Sequence, residues 1–150
     1  MGFDLSGMNP NLATPEPDLP PFPERTSKQR EEYLKWQDEN SGVYFRNNVW
    51  FWRPLWFFVS QFCDDILTEK DVEKGTWNDG HRISKTKAVR IANRLHRMIK
   101  NGEVEEYEKE YKKHLDSLND KNWDRSYPFS EDNVRRFANF CANSGGFEIC

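Results

Sequence analysis

Aliphatic side chains are scarce in these 150 residues, with nine leucines, five isoleucines and seven valines. That excludes a conventional aliphatic core and comes close to the composition of disordered chains. Strong net charge is lacking too: 22 Lys and Arg stand against 25 Asp and Glu, a net charge of -3. Disorder of the highly charged kind is thereby excluded, as is a positive field that would hold duplex DNA by charge alone. No apolar run reaches the roughly 18 residues that a bilayer span needs, since residues 49–59 are interrupted by Arg53 and Pro54. The N-terminus has no basic segment followed by an apolar stretch, so no secretory signal and no membrane partner are expected. Cysteine is limited to Cys63, Cys141 and Cys150, without Cys-x-x-Cys spacing, and His81, His96 and His114 are scattered. An odd number of thiols without a signal points to reduced cysteines in a cytoplasm. Neither a structural metal site nor a cofactor is expected.

What is abundant is aromatic: eleven Phe, six Trp and five Tyr. These rings carry the apolar area that aliphatics usually supply, so a single folded domain with an aromatic core is expected. The first 25 residues hold six of the eight prolines. They read as a proline-rich N-terminal arm, neither helix nor central strand, anchored by Phe3, Leu5, Leu12, Leu19 and Phe22. Such an arm also suits wrapping a neighbour, which would give a homodimer. Residues 26–150 read as one helical domain.

Within it, Thr26 or Ser27 caps a helix over 26–39. Residues 43–52 mix aromatic and polar side chains without helical spacing and read as extended. Pro54 suits the first turn of a buried helix over 53–67, where its missing N–H would be unpaired anyway. Residues 68–82 read as a loop around the Asn78-Asp79-Gly80 turn. Ser84 caps a helix over 85–101 with Gly102 as its stop, a further helix covers 103–118, and Ser130 caps the last one over 131–143. The expected fold is mainly α: about five helices, long ordered loops, and at most one short strand pair between residues 43–50 and 146–149.

Four blocks, MGFDLSGMNP (1–10), YFRNNVWFWRPLW (44–56), WNDG (77–80) and the closing stretch 127–150, together resemble a family of small hypothetical proteins encoded by bacteriophages and prophages. They cover about a third of the chain and span both of its ends. Members of that family often carry a Cys-x-x-Cys insertion before the last block; residues 119–126 here hold no cysteine. The resemblance implies a phage or mobile-element setting in a bacterial host cell, and no particular chemistry.

Candidate binding residues concentrate in the middle block. Arg46, Asn47, Asn48 and Arg53 lie among Trp50, Trp52 and Trp56. Aromatic faces stack on planar ligands, and Arg and Asn supply directional donors to phosphate, carboxylate or base edges. The competing interpretation is structural: rings in the core, Arg53 paired with Asp64 or Asp65, and the asparagines satisfying loop backbone. Arg90 and Arg94 belong to a stripe with Lys87 and Arg97 on one face of the 85–101 helix, a candidate phosphate contact. Asn78 and Asp79, in the turn between Trp77 and His81, belong to the only sequence cluster of a ring, a carboxylate and an imidazole. No catalytic motif is present, so no catalytic residue is expected. The functional expectation is a phage-type, non-enzymatic binder that sequesters a nucleotide-like anionic ligand from host defence. The alternatives are a protein-binding inhibitor of a host defence complex, such as a CRISPR nuclease, or a small enzyme acting on nucleic acid.

Overall fold

The computed structural model describes residues 2–150. Its first element overturns the expectation of a mainly helical fold. Gly2–Gly7 forms strand β1, and its alternation turns Phe3 and Leu5 inward and Asp4 and Ser6 outward. The strands β2 (Tyr44–Asn48), β3 (His81–Ile83) and β4 (Phe147–Ile149) complete an antiparallel sheet of order β2-β1-β4-β3. Six helices accompany it: α1 (Ser27–Glu39), α2 (Val49–Phe62), α3 (Glu69–Lys74), α4 (Lys85–Lys100), α5 (Glu103–Ser117) and α6 (Glu131–Asn143). The fold is therefore mixed α and β.

The N-terminal stretch is thus no separate arm throughout: its start is a central strand that joins both ends of the chain. Asp4 and Cys150 exchange two main-chain hydrogen bonds of 2.8 Å. The two segments expected to pair with each other, 43–50 and 146–149, instead flank β1 on opposite sides. Of the five expected anchors, Phe3 and Leu5 are buried, whereas Leu12 and Phe22 are exposed and Leu19 is half-buried. The proline-bearing remainder lies against α1, where the Trp36 indole N–H donates to the Thr14 carbonyl at 3.0 Å.

Helices α2 and α6 pack on the sheet, α4 packs on α6, and the core they share is aromatic. Phe3, Trp52 and Trp56 stack in a column with centroid spacings of 5.4 and 5.3 Å. Phe137 meets Trp52, Phe45 and Phe147 edge-on. Helix α2 starts a turn earlier than its proline suggests, because the Asn48 side chain accepts from the Phe51 N–H at 3.0 Å and caps it there. Pro54 then sits inside the helix. The expected loop over 68–82 contains α3, opened by a reciprocal cap between Thr68 and Asp71, and the edge strand β3.

Candidate functional site

Helix α2 is apolar nearly all round, so its few exposed side chains mark the face that the core does not use. Arg53 and Phe57 are four residues apart and both are exposed, Phe57 by 66%. They form a ridge with a hollow on each side. On one side is a cleft of about 380 Å³, lined by Trp52, Arg53, Trp56, Phe57, Ser60, Val72, Thr76 and Trp77. That volume lies at the small end of ligand sites. On the other side, α5 and the 123–126 turn enclose about 580 Å³ with Tyr111, His114, Leu115, Asp124 and Tyr127.

The walls of the smaller cleft are fixed by hydrogen bonds. The Trp52 indole N–H donates to the Gly75 carbonyl at 2.8 Å, and that of Trp56 to the Val72 carbonyl at 3.0 Å. These bonds pin α3 and its following turn to α2. Both indoles are buried, and Trp52 lies between the rings of Phe3 and Trp56. The rings free to hold a ligand are Phe57 and Trp77, the latter 58% exposed. Ser60 presents a buried hydroxyl with no hydrogen-bond partner to this cleft. Arg53 is the sole charged lining residue; one of its nitrogens donates to the Tyr127 hydroxyl at 2.9 Å, and it makes no ion pair among the described residues. A guanidinium has five donors, so most of its capacity stays available for an anion.

The structure gathers only part of the residues nominated from the sequence. Trp52, Arg53 and Trp56 meet at the cleft. Arg46, Asn47 and Asn48 line a separate hollow with Phe51 and no tryptophan. There Asn47 is buried and exchanges side-chain hydrogen bonds of 3.0 and 2.8 Å with Asn133. Arg46 lies 3.6 Å from Asp4. Trp50 stacks on Trp123 and tilts against Tyr127. Asn78 donates to the Gly2 carbonyl at 3.1 Å, and Asp79 pairs with Lys74 at 3.4 Å.

The expected cationic stripe on α4 is largely neutralised. Arg94 grips Asp65 with two hydrogen bonds of 2.9 and 2.8 Å and also donates to the Phe62 carbonyl. That grip lowers the Asp65 pKa to about 2. Arg90 approaches the same carboxylate at 3.7 Å, and Lys87 turns inward to Asp71. Asp65 is therefore the partner of Arg94, not of Arg53. His81 does not work with Asp79; its Nε2 donates to Asp71 at 2.8 Å. Compared with protein-family models, with curated proteins and with solved structures, the chain matches none.

The sequence did not single out Phe57, Ser60 or Thr76. The spacing of Arg53 and Phe57 on an otherwise apolar helix was the available signal. No group of three or more metal-ligating side chains clusters among the described residues. The thiols follow the core. Burial pushes the Cys63 pKa to about 11 and that of Cys141 well above its ordinary value, while Cys150 is exposed. A thiol-reactive dye should thus label one site in the native protein, Cys150, and three after unfolding. Rapid labelling of three native thiols would contradict the packing.

Proposed function

We propose that this chain is a non-enzymatic binding protein whose cleft on α2 takes a small anion bearing a planar ring, a nucleotide-like ligand. One observation supports this above the others: Arg53 is the cleft's single charged lining residue, and Trp52, Trp56, Phe57 and Trp77 line the same cleft. The ligand's ring would lie between Phe57 and Trp77, its anionic group on Arg53, and a polar edge on the unpartnered Ser60 hydroxyl. A ring of aromatics also suits a quaternary ammonium, but the Arg53 charge would repel one. The biological role we propose is withholding such a ligand from a host defence pathway, in the cytoplasm of a bacterial cell that carries a phage or prophage.

A second reading, an inhibitor that docks on a host defence protein, draws on the exposure of Phe57 and Trp77, which line the same cleft. Exposed aromatics of this kind commonly anchor protein interfaces. Native mass spectrometry of the protein purified from infected cells separates the two. Ligand sequestration predicts a mass increment of a few hundred daltons that disappears in Arg53→Ala. An added protein chain, with no small-molecule increment, would favour the inhibitor.

A further inference from the structure

We infer that the free edge of β2, with α6 as the opposite wall, is a docking groove for an extended segment of a partner protein that carries an acidic side chain at its centre. This surface is separate from the α2 cleft and does not depend on it. In the sheet β2 has one neighbour, β1. The Gly7 N–H bonds to the Val43 carbonyl, and the register pairs Leu5 with Phe45 and Phe3 with Asn47. By antiparallel alternation, Phe45 and Asn47 direct their main-chain groups at β1, and Tyr44, Arg46 and Asn48 direct theirs away from it. The Arg46 carbonyl accepts from the Asn47 side chain at 3.0 Å. The outward amide N–H of Arg46 and carbonyl of Tyr44 are the pairing groups that an added strand uses.

A groove runs beside this edge. Two hollows of about 210 and 270 Å³ lie end to end and share Arg136 of α6 as a common wall. Helix α6 runs against β2 in the opposite direction, since Asn47 meets Asn133 and Phe45 meets Phe137 and Phe140. Arg136 therefore sits midway along the groove. Its guanidinium lies 5.4 Å from the Phe45 ring centroid, and it has no ion pair among the described residues. Arg46 also lines this stretch, but its guanidinium turns back over Gly2 to Asp4 of β1. The two acids of the groove are at its ends: Asp38 near Tyr44 and Asp132 near Asn48.

This charge order selects the occupant. The unpaired Arg136 guanidinium stands at the middle and a carboxylate at each end, so the complementary segment is acidic at its centre and neutral or basic at its tips. A second copy of β2 fits poorly, because its sequence YFRNN carries no acid to meet Arg136.

The test is a selection on the full-length chain from a pool of acetylated, amidated octapeptides randomised at every position. Enriched peptides should carry Asp or Glu near the middle, with β-branched neighbours and micromolar affinity. N-methylating alternate amides of such a peptide should weaken it at least tenfold, because it pairs through its main chain. Arg136→Glu should cost a similar factor, turn the selection towards a central Lys or Arg, and leave the melting temperature unchanged. The proposal fails if nothing is enriched, if Arg136→Glu leaves the selected sequences the same, or if N-methylated peptides bind equally well.

Discussion

Gly75→Ala should be among the most damaging single substitutions in the chain. A Cβ at that position would lie 2.1 Å from Cε2 of Trp56 and 2.2 Å from its Nε1. The φ of Gly75 is -67°, which any residue adopts, so the requirement is space and not backbone freedom. Trp56 cannot yield, because its other neighbours include the stacked Trp52 and its N–H is held by Val72. We expect a loss of about 3 kcal/mol or more from overpacking, against the roughly 5–15 kcal/mol that holds a typical domain together. The melting temperature should fall by roughly 10 °C on the usual scaling for this size. Gly102→Ala is the control. Nothing lies within 4 Å of its added Cβ, and only its φ of +79° is unfavourable, which costs about 1 kcal/mol. Thermal melts of the two variants measure the difference, and equal losses would contradict the close contact at Trp56.

The second large effect is expected at Asp71. This carboxylate is buried and accepts from the His81 ring, the Lys87 ammonium and the Thr68 N–H. Burial alone would raise its pKa, but those hydrogen bonds outweigh burial and hold it well below the ordinary carboxylate value. A depressed pKa means that the unfolded chain takes up the proton more readily than the folded one. The contribution to stability is therefore complete above the unfolded carboxylate pKa of about 4 and is lost as the pH falls below it. Asp71→Asn should cost about 3 kcal/mol near neutral pH, because it leaves the half-buried Lys87 ammonium without its partner. It should also flatten the acid limb of the stability curve. Adding Lys87→Met should restore part of the loss. Denaturant unfolding between pH 3 and 7 reads all three, and an unchanged acid limb in Asp71→Asn would assign the acid sensitivity elsewhere.

Local hydrogen bonding was legible in the sequence, and long-range pairing was not. Thr26, Ser84 and Ser130 each cap a helix through a side chain that accepts from an N–H three residues on, so the signal lies within four residues. The sheet left no such trace. Its strands are three to six residues long, and β1 joins β4 across nearly the whole chain. The prolines hid β1 as well: the first of them, Pro10, comes after the strand ends, but their density drew residues 2–7 into the arm. The alternation of Phe3 and Leu5 with Asp4 and Ser6 was the readable sign of it. Thr68 and Asp71 were likewise a readable capping pair inside what passed for a loop.

The candidate cleft divides in the same way. Trp52, Arg53 and Trp56 belong to one helix, so their cluster was visible as a sequence block. Trp77 comes from another part of the fold and joins them only because the indole N–H groups tie α2 to the segment after it. Asn47 looked like a ligand donor, yet its partner Asn133 lies 86 positions away, beyond the reach of any local pattern. For the α4 arginines the sequence offered glutamates of the next helix, such as Glu105, as partners, whereas Asp65, which pairs with Arg90 and Arg94, sits on the segment following α2.

The claim at the centre of this account is that Arg53 serves a ligand and not the fold. Isothermal titration of the intact protein with nucleoside monophosphates, diphosphates and cyclic dinucleotides tests it directly, with Arg53→Ala alongside. Saturable binding of at least one of these, one per chain, weakened at least tenfold in Arg53→Ala at an unchanged melting temperature, is the predicted result. No heat of binding from any of them, equal affinity in the variant, or a variant that has lost its stability would contradict it.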